Sequence, residues 1–275
     1  ASRIFSKFEK QYPNLANSCL TASKNAWNWA QKNPNVLYVQ PKDIATGEYG
    51  DKNVSDEKYW AAIELYLSTK NADYLNDVSE NVKITTPTWS QVESLTVFSL
   101  IASTEKIKDS KTKEKIDQIK RNLLDTANQL CQNNQTSAFR ISMNSFSWGS
   151  NSDLVNQGLL LIHAYQLSAD KKYLKAAEDC LHYILGSNPL NMCFVTSFGD
   201  NSPKHIHDRR SSADKIDAPI PGLLVGGPTT AARSDCGEDK YKSSFPALSY
   251  LDMECSYSTN EIAINWNAPL AFLVN

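Results

Sequence analysis

No run of this chain stays apolar over the roughly 20 residues that a bilayer-spanning helix needs, so no such helix is expected. Charge of one sign is also lacking. The 28 Lys and Arg against 30 Asp and Glu leave a net charge of −2, which offers no broad attraction to nucleic acid or to an anionic membrane. None of the six cysteines, Cys19, Cys131, Cys180, Cys193, Cys236 and Cys255, stands in a C-x-x-C pair, which argues against a zinc ribbon or a thioredoxin-like site. Their even number permits disulfides without showing any. A fixed-period repeat is missing, which speaks against a helical interaction array. No interdomain linker and no signal peptide are seen; the second absence does not place the protein in the cytoplasm, because the chain reads as starting inside a domain. What remains is an ordinary globular composition, 41% hydrophobic and 21% charged. It is slightly rich in aromatic rings, which fill cores or face ligands.

Helical periodicity dominates the first two thirds. Leu15, Cys19, Ala22, Ala26 and Trp29 mark one stripe. Trp60, Ile63 and Leu67 mark a second, with Ser55 as N-cap and Asp56 and Glu57 in the first turn, where a helix favours anions. Ile116, Ile119, Leu123, Ala127 and Leu130 form the cleanest stripe, opened by Ser110. Leu154 to Leu167 is apolar on more than one face and reads as deeply packed. Tyr173, Ala177, Cys180 and Ile184 mark another helix, closed by Gly186 and Pro189. Cys19, Cys131 and Cys180 lie on apolar faces and read as buried free thiols. A last helix is expected from about Glu261, with Pro269 kinking or restarting it. Residues 187–258, rich in Pro and Gly, read as a long, ordered, irregular segment of the kind that carries function. No strand alternation is convincing.

Two segments could carry chemistry. Cys193 to Arg209 holds His205 and His207 beside Arg209 and Arg210. Such a loop suits hydrogen bonds to a polar ligand, or it is a solvated turn. Zinc on His205, His207 and Asp208 is disfavoured, because ligands so close in sequence rarely reach tetrahedral geometry. Tyr250 to Leu270 contains Asn260-Glu261 before an apolar run, which taken alone is an acidic helix start.

Together the segments resemble glycoside hydrolase family 9. Gly199, Asn201, Ile206, His207 and Arg209 match its histidine signature. Tyr250, Asp252, Tyr257, Glu261, Ala263, Asn267 and Ala268 match its acidic signature in every position. Between them Asp217, Pro221, Gly222, Leu224, Gly226, Gly227 and Pro228 follow the family pattern. Cys193 and Thr229 depart from it, away from the presumed chemistry. Ala1-Ser-Arg-Ile-Phe, the segment from Thr46 to Asp51, Ser55 to Trp60, Trp148-Gly-Ser-Asn151 and Leu185-Gly-Ser-Asn-Pro189 resemble further landmarks in the family order.

The resemblance implies an all-α (α/α)6 toroid, incomplete at the N-terminus, with 1–275 forming the later part of one catalytic domain. It implies inverting hydrolysis of β-1,4-glycosidic bonds in cellulose or related β-glucans, with Glu261 as general acid. A helix N-terminus would favour its carboxylate, whereas an acid must hold its proton, so burial near Tyr257 and other aromatics, or a neighbouring carboxylate, would have to win. His207 and Arg209 would bind sugar hydroxyls. Trp89 and Trp148 are the best aromatic platforms; Trp60 fits platform or core equally, and Trp27 and Trp29 fit core or flank. The family base belongs to an upstream D-A-G-D-like motif that this chain lacks, so a missing N-terminal segment becomes a partner alongside the glucan. Asp56 and Glu57 match a pair that ligates calcium in some members; a solvated first turn is the alternative, and no other cofactor is expected. Secretion or periplasmic export is implied. Two rival functions stay open: an exo-acting β-glycosidase on short or amino-substituted sugars, and an inactive glycan-binding fragment.

Overall fold

A computed structural model describes residues 1–44, 47–103, 107–231 and 233–275; Thr46 of the sequence landmark lies outside them. The chain divides into two compact units, one of residues 1–85 and 90–123, the other of 86–89 and 124–275. In the first, α1 (Ser2–Ser6), α2 (Pro13–Lys32), α3 (Ser55–Thr69) and α4 (Glu93–Ile101) pack with a 3-10 turn at Ala72–Asp77. Helix α5 (Ser110–Thr136) belongs to both units. The second holds α6 (Ser150–Ser168), α7 (Lys171–Ile184), α8 (Arg209–Ala213), α9 (Tyr257–Asn260) and α10 (Ile264–Leu273).

The stripes of α5, α6 and α7 are buried as their spacing demands. Ile116, Ile119, Leu123 and Ala127 are essentially inaccessible, as are Leu154, Leu160, Leu161, Ala177, Cys180 and Ile184. Helix α6 packs on α7 and α10, so its apolar residues on several faces all find partners. The stripe assigned to α2 does not behave so. Leu15, Ala22, Ala26 and Trp29 are exposed and Cys19 is half-buried; Ala16 and Trp27 are the buried positions. Trp60 is exposed too, although Ile63 and Leu67 of its stripe are buried.

One cap differs from expectation, and α5 opens at Ser110 as its stripe implies. Val54 occupies the N-cap of α3, leaving Ser55 as the first helical residue. Asp109, next to Ser110, accepts the Thr112 N–H at 2.6 Å and so satisfies an orphan donor of α5. The 187–258 segment is irregular, as expected, and includes α8 and two short 3-10 turns. Pro269 sits inside α10 without ending it. Among the described residues no helix is long and apolar enough to cross a membrane.

Candidate functional site

Four short pieces of the second unit lie side by side with Glu261 among them. His207 and Glu261 form a parallel bridge, Val225 and Ile262 an antiparallel one, and Val195 pairs with Leu224. The His207 N–H donates to the Asn260 carbonyl at 2.9 Å. Gly226 N–H donates to the Glu261 carbonyl at 3.1 Å and Gly227 N–H to that of Thr259 at 2.9 Å. Glu261 is therefore extended (φ −65°, ψ 149°), between the end of α9 and the start of α10. This corrects the expected helix start: the bridges engage its backbone, so the anion-favouring N-terminus lies three residues further on.

Polar side chains fix this strip from behind. Asp252 accepts from the backbone N–H groups of Lys204 and His205 and, at 3.1 Å, from Asn260 Nδ2. Asn260 also donates to the His205 carbonyl at 2.6 Å and accepts from the Tyr250 hydroxyl at 2.5 Å. The two signature segments are thus tied by one carboxylate and one amide. Below α9, Asp235 accepts from the Tyr241 hydroxyl at 2.6 Å and from the Ser258 N–H at 2.9 Å. Tyr241 also meets the Ser256 and Ser258 hydroxyls, and Ser256 meets Thr259. Burial, helped by Asp235, pushes the Tyr241 phenol up. A Cys236–Cys255 disulfide closes this loop. Sequence reasoning missed Asp235 and Tyr241. The signal was the cluster Ser256, Ser258 and Thr259, whose fully buried hydroxyls require partners.

On the open side the aromatic rings gather. Trp148 stacks on Tyr257 with centroids 5.3 Å apart at 30°, and His207 meets Tyr257 edge-on at 6.0 Å. Both stacked rings are well exposed (42% and 36%). The Trp148 indole N–H donates to Glu261 Oε2 at 3.1 Å. His207 Nδ1 lies 2.7 Å from the Glu254 carbonyl; a carbonyl only accepts, so Nδ1 carries hydrogen and Nε2 is left for a ligand. Arg209 is exposed at the first position of α8, while Arg210 pairs with Asp208 at 3.0 Å. The structure thus brings Glu261, Trp148, Tyr257 and His207 together, with Arg209 two residues beyond His207. Trp89 is exposed (53%) on the segment preceding α4 and is not part of the stacked pair.

Asp56 and Glu57 belong to the first unit. Asp56 is buried and its Oδ2 accepts the Val92 N–H at 2.8 Å. Its Oδ1, Glu57 Oε2 and Asp51 Oδ2 are buried without a hydrogen-bond partner. Burial, with Asp56 and Asp51 beside it, pushes the Glu57 carboxyl from 4.5 up to about 7. Orphaned carboxylate oxygens are what a hard cation takes. Still, no three or more His, Cys, Asp or Glu side chains among the described residues converge as a metal site, so the carboxylates fit only part of a calcium shell.

A family model described as Glycosyl hydrolase family 9 matches residues 1–274. The chain is 35% identical over 289 aligned residues to a xyloglucan-specific endo-β-1,4-glucanase of Bacteroides ovatus, covering 100% of this chain and 49% of that protein. It is 32% identical to endoglucanase D of Acetivibrio thermocellus, covering 99% of this chain and 41% of that one. A solved structure of a Bacteroides ovatus GH9 protein superimposes with a TM-score of 0.86 at 36% identity, over 99% of this chain and 50% of the other. The chain spans about half the length of the relatives it matches, and the all-α, (α/α)6 class expected from sequence is the one these relatives support.

Proposed function

The chain belongs to glycosyl hydrolase family 9, and from that premise we propose that it carries the acid half of a domain that hydrolyses β-1,4-glycosidic bonds in β-glucans. The observation that carries this reading is the convergence of Glu261 with Trp148, Tyr257 and His207. Three separate stretches of sequence supply one carboxyl group, two exposed stacked rings and an imidazole. Pyranose rings lay their C–H faces on such aromatic surfaces. His207 Nε2 and Arg209 hold ring hydroxyls, and Glu261 donates its proton to the glycosidic oxygen as the C–O bond breaks.

Inversion requires a second carboxylate on the opposite sugar face, roughly 6.5–9.5 Å away, with a water between. An upstream segment supplies it, and the helices of that segment cover the exposed stripe of α2. Polymeric β-glucan as substrate implies export, in keeping with the Cys236–Cys255 disulfide. Trp89 serves as a further platform. Asp56 and Glu57 would supply part of a structural calcium shell, completed by backbone carbonyls and water. The test is NMR of the products of the domain with and without its upstream segment. Rapid appearance of the α-anomer from the complete domain, and no turnover by this chain alone, is expected. Retention of the β-anomer, or full activity of the isolated chain, overturns the reading.

A further inference from the structure

We propose that Trp148 is a positioning residue for Glu261: its indole N–H claims Oε2 and thereby assigns the transferable proton to Oε1. The proposal rests on Glu261 being the acid. Indole nitrogen only donates, so in the 3.1 Å contact Oε2 must accept. In a neutral carboxyl group the carbonyl oxygen is the better acceptor and the hydroxyl oxygen carries the proton. Of the two tautomers, the N–H therefore selects the one protonated on Oε1.

Both partners are held so that this choice persists. Gly226 pins the Glu261 backbone. Trp148 is fixed by its stack on Tyr257 and by the turn around it. Ser147 donates to Asp153 at 2.7 Å and Ser150 to the Pro228 carbonyl at 2.7 Å, while Gly149 supplies the left-handed conformation between them (φ 79°). When the Oε1 proton moves to the glycosidic oxygen, the C–O electron pair departs with that oxygen and charge develops on the carboxylate. The bond from Trp148 then becomes charge-assisted and strengthens, so it contributes more in the transition state than before it.

The titratable groups touching the indole are Glu261 and Tyr257, with His207 against Tyr257 and Asp153 bonded to the neighbouring Ser147. Indole N–H resonances of this chain, followed by 1H–15N NMR across pH, separate them. Six indole signals are expected, and Trp148→Phe identifies the one that belongs here. That signal should shift through a titration that Glu261→Gln abolishes and Asp153→Asn retains. A titration surviving in Glu261→Gln, or none in the parent, overturns the proposal.

In the domain complete with its upstream segment, Trp148→Phe should lower kcat on a cello-oligosaccharide about tenfold, the scale of one hydrogen bond to a charged group. In the Glu261→Gln background the same change should add nothing. Full additivity overturns the proposal. If Glu261→Gln itself leaves hydrolysis intact, the acid assignment has failed, and the NMR titration still decides the contact.

Discussion

Gly227→Ala tests whether the strip carrying Glu261 is held as described. Gly227 has φ +91°, and a Cβ built there would lie 2.6 Å from both Nδ2 and Oδ1 of Asn151. Asn151 is fully buried and donates to the Val225 carbonyl at 3.0 Å. The methyl group must therefore displace this amide and strand a buried carbonyl, at about 1–3 kcal/mol. Left-handed backbone adds about 1 kcal/mol for a residue with a Cβ. The sum, about 2–4 kcal/mol, corresponds to a loss of roughly 5–15 °C in melting temperature for a chain of this size. Gly222→Ala is the control. Its φ is +84°, but nothing lies within 4 Å of its Cβ position, so only the backbone cost applies. Thermal denaturation of the two variants should show Gly227→Ala melting well below Gly222→Ala. Equal melting temperatures would refute the claim that Asn151 occupies the space a side chain would need.

Two further outcomes follow from the geometry. Glu57, raised to about 7 first by burial and then by Asp56 and Asp51, binds its proton more tightly folded than unfolded, so between about pH 4.5 and 7 stability falls as pH rises. Ion-free melting temperatures should decline across that window, Glu57→Gln should flatten the decline, and calcium should raise the melting temperature more at pH 8 than at pH 5; an equal calcium effect at both would speak against the site. In the complete domain, Arg209→Ala should lower kcat/KM about 10- to 100-fold, with KM rising as well as kcat falling, because it removes ground-state hydrogen bonds too; an unchanged KM would place Arg209 outside the binding surface.

The helices of the later core were legible because their periodicity is closed within the chain. The α5 to α7 stripes meet partners here, and their spacing alone located the buried residues. The α2 stripe has the same kind of pattern, but periodicity reports which face is apolar and not what covers it. Family signatures located His207 and Glu261, and the structure shows why two of the landmarks belong together: Gly227 is glycine because Asn151 fills the space beside it. Local propensity placed Glu261 on a helix, and tertiary pairing with His207 and Gly226 overrode it. The Cys236–Cys255 bond and the Asp235–Tyr241 support could not be read from spacing, since each joins residues across an irregular loop with no period to exploit.

Glu261 as the proton donor is tested most directly by the hydrolysis of two substrates by Glu261→Gln in the domain complete with its upstream segment. The amide keeps the shape of the carboxyl group and removes the transferable proton. On a glucan, whose leaving oxygen needs protonation, kcat should fall by about 10²–10⁴-fold with KM little changed. An aryl glycoside with an activated leaving group should lose far less. A glucan kcat within a few-fold of the parent would contradict the account and leave Glu261 as a residue of the strip with no part in proton transfer.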